Sequence, residues 1–328
     1  MRRLHGQSGF SLPELLVAMT IMLIISGAAV SALLKMTAAQ ATIWNRTQMH
    51  SGIRGATEVL QQEVGQAGRI ALPMNSSSIP YVVTLAAGVG TGAQTVQINS
   101  TLPTGPDRTT GMFVGQKLMI GDNTNQETVT LTALTATTIS TTFANAHNSN
   151  EPVLALGAFG TGIVPPKNSP STYSPTGSTF TYANGSDGTI LKLYGDINAD
   201  GSMVYIEYTC DTVGGNLYRN MMAWNAASKP AVSASQVLLS NITANPNATP
   251  CFTYQTAVVG GNVYVTDVAI TLTVQTQLID PVTKQFQKQT KALLNVSPRN
   301  TFNAWQMASL GISKRIQPMP PSITALLP

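Results

Sequence analysis

Residues 9–34 read GFSLPELLVAMTIMLIISGAAVSALL, and the fold turns on how this stretch is taken. Positions 15–34 carry no charge, and as a helix they would reach about 30 Å, enough to cross a bilayer. Ahead of them lies a short basic leader, MRRLHGQSG, whose Arg2 and Arg3 would stay on the cytoplasmic side. Three plain readings compete: a cleaved secretory signal, a simple anchor, and the core helix of a globular domain. Glu14 separates them. A carboxylate at the edge of hydrocarbon is costly and ordinarily has a partner. A secretory signal has no use for it, and an anchor would be better served by leucine.

The helical pattern runs on past the apolar stretch. Between residues 35 and 69, apolar side chains recur at Met36, Ala39, Ile43, Met49, Ile53, Ala56, Leu60, Val64 and Ala67, a spacing of mostly three and four interrupted at Arg46. Residues 10–69 would then form one helix about 90 Å long, with Gly65 and Gly68 at its end. A secreted protein would turn into its globular domain soon after its signal. Here the stem is long and half of it is poised for burial.

Composition narrows the rest. Only 10% of the residues are charged, while Thr, Ser, Asn and Gly are abundant, which suits β-structure coated with hydroxyls and amides. Lys and Arg exceed Asp and Glu by four, and without Arg2 and Arg3 the excess halves, so no nucleic-acid partner is expected. The run 284–315 holds six cations and no acid, and reads as solvated surface. Cys210 and Cys251 are an even count that fits a disulfide in an exported chain, with two free thiols as the alternative. Such a bridge would stabilise the fold by about 4 kcal/mol.

The segment GFSLPELL at 9–16 resembles the leader of type IV prepilins and pseudopilins. The resemblance implies a prepilin peptidase that cuts after Gly9 and methylates the new N-terminus, Phe10. Glu14 becomes the fifth residue of the mature chain, available to pair with the Phe10 amine of a neighbouring subunit. Pro13 departs from the commonest family residue, but a proline in the first helical turn removes only a donor that lacks a partner anyway. LQQEVGQAGR at 60–69 and SPRN at 297–300 resemble the corresponding parts of PilW-type minor pilins. What this implies is an α+β fold, a pilin-like lollipop with a long N-terminal helix on an antiparallel sheet. The chain would be anchored in the bacterial inner membrane with its C-terminal domain in the periplasm, and other major and minor pilins would be its partners.

The remaining divisions come from local patterns. Residues 1–9 are the leader, 10–69 the membrane and stem helix, and 70–92 a loop and first strand. Thr-rich alternation over 93–157 predicts an inserted β-module, similar to small barrel-like inserts of surface and tail proteins. His147 is the only histidine there, and a lone histidine gives little ground for metal or catalysis. Residues 158–188 are rich in Gly, Pro and Ser and read as a long surface loop. Strands resume over 189–300 as the pilin-like sheet, closing in a hairpin around the turn Asp280-Pro281-Val282-Thr283. Residues 301–328 are a tail with a short helix.

DINADG at 196–201, with Glu207 beyond, fits the pattern of a calcium loop. Glu207 falls on a predicted strand, about 20 Å of extended chain from Gly201, too far to close a cage. Asp196, Asn198 and Asp200 remain a candidate partial calcium site, or simply a good turn. Enzyme signatures are otherwise missing, with no G-x-S-x-G, phosphate-loop lysine, H-E-x-x-H or C-x-x-C. His5 lies in the leader and His50 on the stem. The expectation is a non-enzymatic minor pilin, incorporated at the tip of a type IV pilus to aid assembly initiation and adhesion. Alternatives are a minor pseudopilin of a type II secretion system or, more distantly, a membrane-anchored exported binding protein or enzyme.

Overall fold

The computed structural model describes residues 11–70, 83–100, 108–109, 111–121, 124–167, 169 and 182–328. Helix α1 (Leu12–Gln66) is one continuous helix of 55 residues, about 80 Å long. It stops at Gly68, whose φ of +79° suits glycine alone among unstrained residues. The site also needs the absence of a side chain opposite, because a Cβ on Gly162 would lie 2.1 Å from the Gly68 Cα. The chain divides into two compact units. One is the helix through Ser51 with Gln275–Gln289, and the other is Gly52–Val274 with Thr290–Pro328.

The apolar stripe of the stem is covered only in part. Met49, Ile53, Ala56, Leu60, Val64 and Ala67 are buried, as their spacing predicts. Met36, Ala39 and Ile43, at the start of the same series, are exposed.

Strands β1 (Val83–Leu85), β2 (Gly92–Ser100), β3 (Lys117–Ile120), β4 (Glu127–Thr130), β5 (Ala133–Leu134), β6 (Thr138–Phe143) and β7 (Val153–Leu154) form two antiparallel sheets, in the orders β1-β2-β6-β5 and β4-β3-β7. Their inward residues make one apolar core that runs from Val83 through Ile98, Leu118 and Ile139 to Val153. The expected module boundary at 93 therefore lies inside β2, and β1 shares the module's core. Alternation is the cause: β6 buries every second residue, facing Ile139, Thr141 and Phe143 inward.

The distal part carries β8 (Ala158–Phe159), β9 (Ile190–Gly195), β10 (Val204–Asp211), β11 (Asn216–Ala223), β12 (Val237–Ser240), β13 (Ile242–Thr243), β14 (Phe252–Val259), β15 (Asn262–Gln275), β16 (Lys288–Val296) and β17 (Ile316–Gln317). One antiparallel sheet has the order β12-β11-β10-β9, and a second has β13-β15-β14 with β16 also on β15. The Cys210–Cys251 disulfide joins β10 to the start of β14 across 41 residues, with Cα atoms 6.4 Å apart. Long N-terminal helix and antiparallel sheets together make the α+β class read from the sequence.

Two expectations fail in the same way. The glycine-rich segment 158–188 is not simply a surface loop, because Thr161, Ile163 and Val164 are fully buried and β8 pairs in parallel with β17. Its glycines serve close approach: a Cβ on Gly185 would meet the Pro165 carbonyl oxygen at 2.3 Å, and one on Gly157, just before the segment, the Arg315 carbonyl oxygen at 1.7 Å. Residues 168 and 170–181 of that segment lie outside the described residues. The C-terminal stretch is likewise core, not tail. Helices α2 (Arg299–Ser309) and α3 (Pro321–Leu326) fold back, and Met319, Ile323, Leu326 and Leu327 pack with Phe159, Tyr194 and Tyr205. Gln317, fully buried, clamps the module by accepting from the Lys117 N–H at 2.9 Å and donating to the Lys117 and Leu156 carbonyls.

His147 holds the module's last turn. Its Nδ1 lies 2.6 Å from Glu151 Oε2 and its Nε2 2.8 Å from Glu127 Oε1, and the imidazole is buried. Two carboxylates can both be served only by a ring that donates from both nitrogens, which is the imidazolium. Glu127 also accepts the Ala144 and Asn145 N–H groups, and Glu151 accepts that of Asn148. Burial alone would lower the His147 pKa, but the hydrogen bonds and charges of the two carboxylates outweigh it and raise it above 6.5. Burial likewise opposes ionisation of Glu127 and Glu151, yet their hydrogen bonds win and hold both below 4.5. The histidine's contribution is complete below its unfolded pKa and is lost as pH rises through the raised one. That of the carboxylates is present above about 4.5 and is lost as pH falls through the lowered values. The lock is therefore strongest in mild acid. His147→Gln should lower the melting temperature by about 2–4 °C at pH 5.5 and by much less at pH 9.5. An equal loss at both would show that the charge is irrelevant.

Candidate functional site

The N-terminal helix has two halves with different surroundings. Over its first half nothing covers it. Leu16, Met22, Leu23, Ile24, Leu33 and Leu34 are all more than half exposed, and the most apolar window of the helix is 0% buried at a mean hydropathy of 2.3. A contiguous apolar surface of this size is not left to water by a folded chain. This removes the reading of a core helix. Both threonine hydroxyls of this bare half are satisfied within the helix: Thr20 donates to the Val17 carbonyl at 2.8 Å and Thr37 to the Leu34 carbonyl at 3.0 Å. Such internal pairing is what a helix needs in a medium without water.

Glu14 stands in the first turn. Its Oε2 accepts the Ser11 N–H at 3.1 Å and the Ser11 hydroxyl at 2.9 Å. Ser11-x-x-Glu14 is half of a capping box, in which the N3 carboxylate satisfies the donor at the helix entrance. That motif was in the sequence, unread. It keeps the acid against the peptide nitrogen that follows Phe10 in the chain. Gly9 and Phe10 themselves lie outside the described residues.

The second half of α1 is seated by charge as well as by apolar contact. Glu63 is buried and faces β10 and β11, where Arg219 donates to it through Nε at 2.9 Å and also through Nη2, and the Tyr208 hydroxyl donates to its other oxygen. Burial, then the Glu63 charge, pushes the Tyr208 pKa well above its ordinary value, so the phenol stays a donor. Lys291 of β16 reaches the Thr57 hydroxyl at 2.7 Å. Asn300 donates to the Gln66 and Ala67 carbonyls at 3.1 and 3.3 Å and so caps the helix end. The two stretches read separately as pilin-like, 60–69 and 297–300, thus meet through one amide. Glu63 and Arg219 were not singled out from sequence; a lone glutamate on the apolar face of the stem was the available signal.

The loop at 196–201 departs from the calcium pattern. Asp196 is fully buried, its Oδ1 accepts the Asp200 and Gly201 N–H groups at 3.1 and 3.3 Å, and its Oδ2 faces Arg69 Nε at 3.4 Å. Asp200 turns to the Ser202 N–H at 2.8 Å, and Asn198 points to solvent. The three side chains do separate work as an Asx turn and an ion pair, because the Arg69 guanidinium already faces the buried carboxylate. Glu207 is engaged elsewhere, accepting from Tyr205 and Lys229 at 2.9 Å each. Among the described residues, no group of three or more His, Cys, Asp and Glu side chains could hold a metal ion.

The signature of the prokaryotic N-terminal methylation motif matches residues 4–30, which include Gly9, Phe10 and Glu14. No curated protein and no solved structure matches the chain. The leader is therefore type IV pilin-like, and it supports a membrane-anchored pilin or pseudopilin that is processed by a prepilin peptidase and assembles with other pilins.

Arg219→Met would strand the Glu63 carboxylate in the seat. The expected cost is about 3–5 kcal/mol, read as a fall in the melting temperature of the detergent-solubilised chain. Glu63→Gln combined with Arg219→Met should recover much of that loss, whereas additive losses would mean that the two groups do not act as a pair.

Proposed function

We propose that the chain is a minor pilin of the PilW kind. It is held in the bacterial inner membrane by residues 15–34, cut after Gly9, methylated at Phe10, and taken into a type IV pilus at or near its tip. There it helps to start assembly and presents an adhesive surface from the periplasmic domain. The observation that carries this reading is the bare apolar half of α1 with Glu14 fixed at its head. Stripped from lipid, that half needs other apolar helices around it, and in low dielectric its acid needs a cation. The amine of a neighbour's Phe10 supplies one, and the pair fixes axial register between stacked helices.

Its size and the separate core of the β-module favour a minor subunit, since a subunit repeated along a whole filament is usually compact. The proposed role is structural and involves no catalysis. A minor pseudopilin of a type II secretion system is the second reading, because the same leader serves both machines.

Gly9→Val should leave the chain at precursor size on a gel. Glu14→Ala should permit cleavage but abolish piliation. Normal cleavage with the first and normal filaments with the second would sink the proposal. Deletion of the gene should impair twitching and piliation, and a selective loss of protein secretion instead would favour the pseudopilin.

A further inference from the structure

Strand β16 is the outer strand of its sheet, with β15 as its one neighbour among the described strands. Thr276 donates its N–H to the Gln287 carbonyl, and the Thr273 and Thr290 hydroxyls meet at 2.9 Å, which sets the antiparallel register. In such a ladder alternate residues bond to the neighbour, and the others turn their N–H and C=O groups to the open side. That register turns Ala292, Leu294 and Val296 outward. From Ala292 to Val296 the strand has no charge and no proline, the usual guards of an exposed edge. Leu294 is 71% exposed.

The end of this strand lines a groove of about 560 Å³ against the last turns of α1. Gln61, Gln62 and Gln66 form its helix side, and Asn295, Ser297 and Arg299 stand opposite. Gly65 leaves room between the glutamines, since a Cβ there would meet no atom within 4 Å. The polar groups of the groove are idle. The side-chain amides of Gln61, Gln62, Gln66 and Asn295 and the Arg299 guanidinium have no hydrogen-bond or ion-pair partner among the described residues. Its acid, Glu58, is by contrast engaged by Arg54 Nε at 2.8 Å. The two walls agree in length. Glu58 to Gln66 is about 12 Å of helix, and Ala292 to Val296 about 13 Å of strand, each matching about four extended residues.

We propose that this groove seats an extended acidic segment of a partner protein, which pairs its backbone with the β16 edge and places a carboxylate on Arg299. An extended chain alternates N–H and C=O groups and so matches an open strand edge, while amide side chains, which both donate and accept, meet its other side. A carboxylate fits Arg299 because the guanidinium offers a planar fork of donors and the groove's own acid is already paired. Lys291, bonded to the Thr57 hydroxyl beside Glu58, adds a second cation. A sugar is a poorer occupant, because no aromatic ring lines the groove and a sugar has no backbone to offer the edge. So is a second copy of this chain. On its strands Glu127, Glu207 and Asp211 already have partners, and Asp267 lies on the central β15. All the groove residues belong to the compact unit Gly52–Val274 with Thr290–Pro328, so the inference rests neither on the membrane span nor on the filament role.

The test uses the detergent-solubilised full chain and a fluorescent peptide, Thr-Val-Thr-Asp-Val-Thr, with binding read by anisotropy. The peptide should bind, and a form with asparagine in place of its aspartate should bind about tenfold more weakly. N-methylation of alternate peptide nitrogens should abolish binding, since it removes the donors that face β16. Arg299→Gln should erase the preference for the acid and leave the melting temperature and the disulfide unchanged, because Arg299 is exposed. Equal binding of the acidic and amide peptides overturns the proposal. So does full binding of the N-methylated peptide, or no binding of the acidic one at about 1 mM. A photo-crosslinker at position 295 that captures only a second copy of this chain in native membranes overturns it as well.

Discussion

A single helix that is bare over one half and clad over the other must be stabilised by two different media. From Leu12 to Thr37 every side chain of α1 is exposed and depends on lipid or on other helices. From Met49 to Ala67 the same helix is an interior element, gripped by apolar packing and by Glu63 with Arg219 and Tyr208. The remaining architecture serves that division. The sheet β12-β11-β10-β9 supplies the cation and the phenol that receive Glu63, Asn300 closes the helix end, and α3 completes the core behind β9 and β10.

What could be read in advance follows from which signals are local. The apolar run, Glu14 and the basic leader lie within a few residues of one another, so their chemistry is visible without a fold. Strand-forming runs are equally local, and the strands expected over 189–300 with their closing hairpin are present as β9 to β16. The disulfide was legible because only two cysteines had to find each other.

Long-range contacts were not legible. Glycine and proline over 157–166 look like flexibility, yet Gly157 and Gly162 are there so that one backbone can pass against another, at Arg315 and Gly68. The Glu63–Arg219 pair spans 156 residues and has no spacing that would announce it. The calcium pattern is ambiguous for a related reason. Aspartates at alternate positions make Asx turns as readily as cages, and only the position of Arg69, just beyond α1, shows what the buried carboxylate faces. His147 looked isolated because Glu127, its partner at the start of β4, is twenty residues away in the chain.

The packing of the last residues has a consequence for the order in which the chain can fold. The β-module draws its core from residues 83 to 153, so it can close as soon as that stretch has emerged. The distal core cannot, because Ile323, Leu326 and Leu327 fill it beside Tyr205, β17 must pair with β8, and the Lys192 ammonium is capped by the Leu327 carbonyl at 2.6 Å. While residues 316–327 are still to arrive, that lysine has the Asn184 carbonyl but lacks its second carbonyl acceptor, and the aromatic cluster stays open. The membrane helix and module therefore wait, already formed, for the end of the chain. Contacts of such wide separation form late and expose apolar surface meanwhile. The interval between the module closing and the last helix docking is when this protein is most vulnerable to proteases and to aggregation.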